Sequence, residues 1–394
     1  MSKKEKIAFH LKYRFSEFVE NGPPLFENAN LLFKQVNNRN HRADLPILAI
    51  SQEYGAIPRD KIDYTVSVSA KSLESYKVVE KGDFIISLRS FQGGIEYSVY
   101  HGICSPAYII LRKRVDIEER YYKYYFKSYR FIQDLKKDLE GIRDGKMVSY
   151  RQFSTILLPR PDKKEQQKVA DCLSFLDKWI AAEDKKLSTL KDYKKGLMQK
   201  LFPAAGKTIP EWRFPEFRDC GEWETAYVSK LVSVITPPKK IPSSEYQANG
   251  KFPIIDQGQD LICGWTNDAG AVVKFEQKLL IFGDHTCIIK LIDRPFAQGA
   301  DGIKILSAKK RISVEFLFHY LSFHPIKSDS YKRHFSELKE TLVLFPNIES
   351  GEQQKIAACF STLDEWITAQ AQKTQALRNH KRGLVQGLFP LLRR

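Results

Sequence analysis

The 394-residue sequence has no Cys-x-x-Cys pair; its six cysteines, Cys104, Cys172, Cys220, Cys263, Cys287 and Cys359, are scattered. That spacing argues against a zinc framework or a disulfide scaffold and suits the reducing cytoplasm. No apolar run approaches the roughly 18–20 residues that cross a bilayer, so no membrane partner is expected. The start, Met1-Ser2-Lys3-Lys4-Glu5-Lys6, is charged and leads into no apolar stretch, so no secretory signal is expected. Catalytic signatures are missing too. There is no phosphate-binding glycine loop, no H-E-x-x-H, no G-x-S-x-G and no Asn/Asp-Pro-Pro-Tyr/Phe tetrad of the amino-methyltransferases. Pro161-Asp162 and Glu183-Asp184-Lys185 mimic a PD…ExK nuclease pattern. On one helix those halves would lie about 30 Å apart, too far to share a metal. No catalytic residue, metal or cofactor is expected on this chain.

What the sequence has is positive charge. The formal net charge is +16, with 43% hydrophobic and 12% aromatic residues. This composition belongs to a folded protein with a polyanionic partner, nucleic acid before membrane. The basic residues are spread along the chain and form no tail, so the partner should touch several regions.

The chain also repeats itself. Residues 159–203 align with 346–390 at a constant offset of 187, without a gap and with 22 of 45 positions identical. Shared landmarks are Glu165-Gln166-Gln167-Lys168 with Glu352-Gln353-Gln354-Lys355, Leu176-Asp177 with Leu363-Asp364, Trp179-Ile180 with Trp366-Ile367, and Leu201-Phe202-Pro203 with Leu388-Phe389-Pro390. A shorter echo precedes each copy: Arg14-Phe15-Ser16-Glu17-Phe18 and Arg213-Phe214-Pro215-Glu216-Phe217. The regions between echo and repeat, about 19–158 and 218–345, barely align. Two like frames carry two unlike inserts.

Each repeat reads as a long helix. Val169, Leu173, Leu176, Ile180, Glu183, Leu187, Leu190, Lys194, Leu197 and Leu201 follow a 4-3-4-3 spacing, the seam of a coiled coil. Ile356, Phe360, Leu363, Ile367, Gln370, Thr374, Leu377, Lys381, Leu384 and Leu388 repeat it. A single apolar stripe needs a partner, and the obvious one is its own copy. A parallel, in-register pair would oppose Lys194 to Lys381 on the seam. An antiparallel pair separates them, and we expect that orientation, with Glu183 near Gln370 setting the register.

The inserts read as mixed α/β: short strands at 45–50, 84–88, 107–111, 253–255, 278–282 and 287–291, and helices at 120–139 and 314–323. Their polar loops are the candidate readers of DNA. In the first insert these are Gln52, Tyr54, Arg89, Ser90 and Gln92; in the second, Gln257, Gln259, Asp284, His285 and Thr286. Glutamine can bond adenine bidentately, arginine guanine, and a carboxylate can accept from cytosine. Lys81 and Lys290 join the candidate set, and Lys77, Lys81, Lys274 and Lys278 nearby could hold phosphates, which position without specifying. Asp284-His285 has the look of a base and its orienter, but no nucleophile or metal pattern accompanies it.

The Arg-Phe-Pro-Glu-Phe entry at 213–217, the Glu-Gln-Gln-Lys openings, the Leu-Asp-x-Trp-Ile cores and the Leu-Phe-Pro endings together resemble type I restriction–modification specificity subunits. So do Ser51-Gln52-Glu53-Tyr54-Gly55, the run from Lys81 to Gly94, and Phe282-Gly283-Asp284-His285-Thr286. Ser16 and Cys287 depart from the pattern, where a proline and a basic residue would be expected. The resemblance implies an α+β fold with a pseudo-two-fold repeat. Target-recognition domains would occupy 1–158 and 204–345, with helical spacers at 159–203 and 346–394 in an antiparallel coiled coil. It further implies a bipartite double-stranded DNA target and docking of two methyltransferase subunits, with restriction subunits joining them. S-adenosylmethionine, Mg and ATP would bind to those partners. Exposed helix faces, including Gln166, Trp179 and Trp366 where these are unburied, are candidate docking surfaces. A protein-only coiled-coil scaffold would leave the unlike inserts without a purpose, and a free-standing DNA-modifying enzyme would need the missing motifs.

Overall fold

The protein is described from a computed structural model, for residues 9–41, 44–62, 70–137, 148–300, 302–327 and 332–392. It forms two compact units, one made of residues 1–183 and 373–394, the other of 184–372. Two long helices, α1 (Lys163–Leu201) and α2 (Glu352–Gly387), contribute to both. Each unit therefore holds one insert, the first half of one helix and the last half of the other.

Although their sequences barely align, the inserts share a sheet. In the first unit four antiparallel strands run in the order Phe33–Val36, Ile109–Lys113, Phe84–Ile86, Glu96–Tyr97. In the second the order is Val232–Ile235, Ile303–Ala308, Leu279–Gly283, Ile289–Ile292, again antiparallel throughout. The chain enters and leaves each insert through a two-stranded ribbon, Leu25–Asn28 with Leu157–Arg160 and Glu224–Tyr227 with Leu342–Phe345. The second unit adds a mixed four-stranded sheet containing Phe252–Ile255. The first has ribbons there instead, including Leu48–Ser51 with Gly55–Pro58.

The ribbons bring distant sequence motifs together. Arg14 forms a two-pronged ion pair with Glu165, 2.7 Å at each prong, and donates to the Gly22 carbonyl. Arg213 does the same with Glu352, at 2.7 and 2.6 Å, and with the Gly221 carbonyl. Lys168 lies over the Phe15 ring and pairs with Glu17; Lys355 lies over Phe214 and pairs with Glu216. Gln166 and Gln353 are buried and carry the join further. Gln166 accepts from Glu118 N and donates to the Pro161 carbonyl; Gln353 accepts from Ser313 N and donates to the Pro346 carbonyl. The repeated entry and Glu-Gln-Gln-Lys motifs are thus two halves of one joint. Gln166 is an internal fastener, and the exposure on which its candidacy as a docking residue depended is absent.

Helix ends complete the cores. Phe389, just past α2, packs on Tyr121 and Tyr125 of the first unit, with ring centroids 5.0 and 5.5 Å away. Phe202, just past α1, packs on Phe316 and Tyr320 of the second, at 5.8 and 5.4 Å. The predicted helix at 120–139 is two helices, Glu119–Tyr125 and Tyr129–Lys136, because Ser128 caps a new start by accepting from Phe131 N. The end of that predicted span, residues 138 and 139, lies outside the described residues.

Within each unit the helices run antiparallel. Asp177 pairs with Lys381 and Glu183 with Lys373 in the first, so α2 numbers fall as α1 numbers rise. Lys194 pairs with Asp364 in the second. The two repeated lysines each meet the aspartate of the opposite repeat, which removes the charge conflict of a parallel pair. Glu183 also accepts from Trp179 Nε1, and Gln370 is buried. Above each aspartate sits an insert side chain: the Tyr124 hydroxyl bonds Ser174 and Asp177, whereas His319 bonds Ser361 through Nε2.

Glu352 is fully buried, so Arg213→Ala leaves an uncompensated charge and should destabilise the second unit by about 3–5 kcal/mol. Urea unfolding would register the loss, and adding Glu352→Gln should restore part of it. His319 is 1% exposed, and burial, then Lys194, pushes it down to about 3 from 6.5. The folded chain holds it neutral, so its contribution is complete above pH 6.5 and declines as pH falls towards 3. His319→Tyr, copying the first unit, should flatten that slope in thermal melts run from pH 8 to pH 5.

Candidate nucleic-acid interface

In the first unit, the loop after Leu48–Ser51 and the loop after Phe84–Ile86 face a cleft of about 1180 Å³. Its lining brings together three predicted readers, Gln52, Tyr54 and Arg89, and adds Arg59, Asp60 and Lys61. The Ser51 hydroxyl accepts from Glu53 N and Tyr54 N, which turns the loop outward and leaves the Tyr54 ring 59% exposed. Hydrogen bonding to the Glu53 carboxylate beside it raises the Tyr54 hydroxyl above its ordinary pKa. Gln52 Nε2 donates to the Arg89 carbonyl at 3.0 Å.

Other predicted residues have different placements. Ser90 is fully buried, and its hydroxyl accepts from Ser87 N, closing the turn into the short helix Ser90–Gly93. Gln92 and Lys81 are exposed but do not line the cleft. Lys77 is buried, and Nζ donates to the Tyr108 carbonyl, so it is unavailable to a phosphate. Gly94 ends the short helix at φ 83°, and a Cβ there would lie 2.0 Å from the Phe126 carbonyl oxygen. Only glycine fits that close approach.

The second unit has a smaller cleft, about 430 Å³, lined by Gln257, Asp284 and His285 with Lys240, Lys304 and Arg333 among others. Asp284 is buried; its carboxylate accepts from Phe335 N and its carbonyl from His334 N. It therefore anchors the helix Phe335–Glu340 behind the cleft. His285 N donates to Gln257 Oε1 at 3.3 Å, and its Nδ1 lies 3.0 Å from the Lys332 carbonyl. The exposed Thr286 donates to the Gln257 carbonyl, 2.8 Å. Cys287 follows in the left-handed region, φ 55°. Lys290 is buried, with Nζ donating to the Asp256 and Asp260 carbonyls at 2.8 and 2.6 Å. Gln259 is exposed outside the lining, Lys274 is exposed, and Lys278 pairs with Glu315.

Each cleft thus has a net cationic, hydrogen-bonding lining, the complement of a phosphate-bearing polymer with polar base edges. Among the described residues no cluster of three or more His, Cys, Asp or Glu could hold a metal, and no helix is long and apolar enough to cross a membrane. Asp162 caps α1 by accepting from Lys164 N, a structural use of the residue that mimicked a nuclease motif.

The family model for the type I restriction modification DNA specificity domain matches twice, over residues 24–192 and 221–379. The chain belongs to that family. Its two matches each span an insert and most of the helix that follows. The MjaVIII type I restriction enzyme specificity subunit of Methanocaldococcus jannaschii is 23% identical over 351 residues, covering 79% of each chain. A second protein of that organism, assigned to the MjaX type I restriction enzyme, is 22% identical over 366 residues, covering 84% of this chain and 82% of its own. The type I S subunit of M. genitalium shares the fold at a TM-score of 0.61 and 14% identity, covering 99% of this chain and 98% of that one. A chain from a structural study of complex assembly in a type I R-M system matches at 0.53 and 15%, covering 93% and 98%.

Sequence reasoning about this specificity subunit missed Arg59, Lys61, Lys240, Lys304 and Arg333. A signal existed for the first two: they follow a strand that must pair back on Leu48–Ser51 through a three-residue turn, which returns them to the same mouth. Arg333 had no such signal. Trp179 and Trp366, named as docking candidates, are 41% and 58% exposed on repeat-equivalent positions. Lys290→Ala should free the 256–260 loop without unfolding the sheet, which faster amide hydrogen exchange confined to that loop would reveal.

Proposed function

We propose that this specificity subunit binds double-stranded DNA and selects a bipartite target, each unit reading one half. It carries no chemistry of its own. Two methyltransferase subunits bearing S-adenosylmethionine dock on it and methylate adenines, and restriction subunits using Mg and ATP join to cleave unmodified DNA. One observation supports this reading above others: the same frame, sheet and joint present two basic clefts with unlike linings. Like frames with unlike readers suit a target with two different halves and an unread gap set by helix length. Joining two weak readers gives an avidity neither has alone.

The purified chain should neither methylate nor cut DNA. With its methyltransferase subunits it should modify a split motif, and exchanging residues 218–345 for those of a relative should alter one half of that motif. Turnover by the chain alone, or a change in both halves, would remove the reading. Sequencing of modified bases in a plasmid library supplies the measurement.

A further inference from the structure

Two glutamines from unrelated local sequences hold one structural role. Gln52 follows the strand Leu48–Ser51 and donates to the Arg89 carbonyl. Its amide lies flat on Gly93, where an added Cβ would come within 2.5 Å of Gln52 Cδ. Gln257 stands two residues after the strand Phe252–Ile255 and is tied to the backbone of His285 and the hydroxyl of Thr286. Its amide lies on Gly302, where a Cβ would come within 2.7 Å of Gln257 Cδ. One amide donates and the other accepts, so what the units share is the tie. Each joins the loop that opens its cleft to the loop beyond the third strand of its four-stranded sheet.

We propose that Gln52 and Gln257 are positioning residues that set this second loop against the target, and that Arg89 is the guanine-reading side chain that Gln52 places. The inference rests on the function proposed above. Swinging Gln52 to a base edge would break its bond to Arg89 and release the loop. Arg89 itself is exposed and lines the cleft, and its guanidinium has no partner among the described residues. That group matches the O6 and N7 acceptors of guanine in the major groove.

The test uses the chain assembled with its methyltransferase subunits, S-adenosylmethionine and a randomised duplex library, and reads base preference position by position. Arg89→Ala should relax one G·C position in one half of the target by about 10- to 100-fold. Gln52→Ala should relax that same position, and adding it to Arg89→Ala should change nothing more. Gln52→Glu, which keeps the shape but loses the donor, and Gly93→Ala, which displaces the amide from below, should both behave like Gln52→Ala. Gln257→Ala should act on the other half alone. A Gln52→Ala effect at a different position, additive with Arg89→Ala, would make Gln52 a reader and overturn the inference. So would a uniform loss with no change in preference, or an Arg89→Ala complex with every position intact. A wild-type complex that selects no sequence would instead fail before any variant is compared, and would overturn the proposed function with it.

Discussion

The buried two-pronged pairing of arginine with glutamate, made once in each unit, is the constraint on which the architecture depends. A carboxylate removed from water needs a partner of fixed geometry, and the guanidinium fork supplies it. Arg14 and Glu165 lie 151 residues apart in sequence, and Arg213 and Glu352 lie 139 apart. Each pair therefore closes a whole insert into a loop that starts and finishes at the head of a long helix. The adjoining ribbon, the cation over an aromatic ring and the buried glutamine reinforce the same closure. Its components are repeated in sequence because the closure is needed twice.

Within that closure the inserts were free to diverge. Their four-stranded sheets keep one strand order, yet the loops at the cleft differ in length, charge and hydrogen-bonding pattern. Buried polar groups around the clefts serve the loops before they serve any partner. Ser90, Asp284 and Lys290 each satisfy backbone groups that would otherwise be stranded away from water. The cleft surfaces left over are basic and unlike each other.

Much of the frame was legible in the sequence. The heptad spacing located both helices to within a few residues, and the like-charged Lys194 and Lys381 gave their antiparallel sense. The six strands expected from apolar runs each overlap an observed strand, but the entry ribbons and the other short strands were not recognised. The joint was not, because nothing local links an arginine at 14 to a glutamate at 165; only the repeat of both motifs carried that information, as an unexplained coincidence. The helix break at Ser128 was masked by the tyrosine-rich run around it. The loop residues were only partly legible. A polar side chain on a turn looks the same in sequence whether it faces solvent, as Tyr54 does, or the backbone, as Ser90 and Lys290 do. Burial is a tertiary property that no short window contains.

The two units differ in how their chain is gathered. The second is continuous, from 184 to 372, whereas the first takes its final residues, 373 onward, from the far end of the chain. Phe389, which fills the space beside Tyr121 and Tyr125, is made some two hundred residues after the core it completes. At roughly 5–20 residues per second a ribosome needs about 10–40 s to deliver it. The part synthesised first is therefore the part finished last. During that interval the side of the first core that Val385, Leu388 and Phe389 complete stays open, a window in which a chaperone or a neighbouring nascent chain would meet it before the second repeat does.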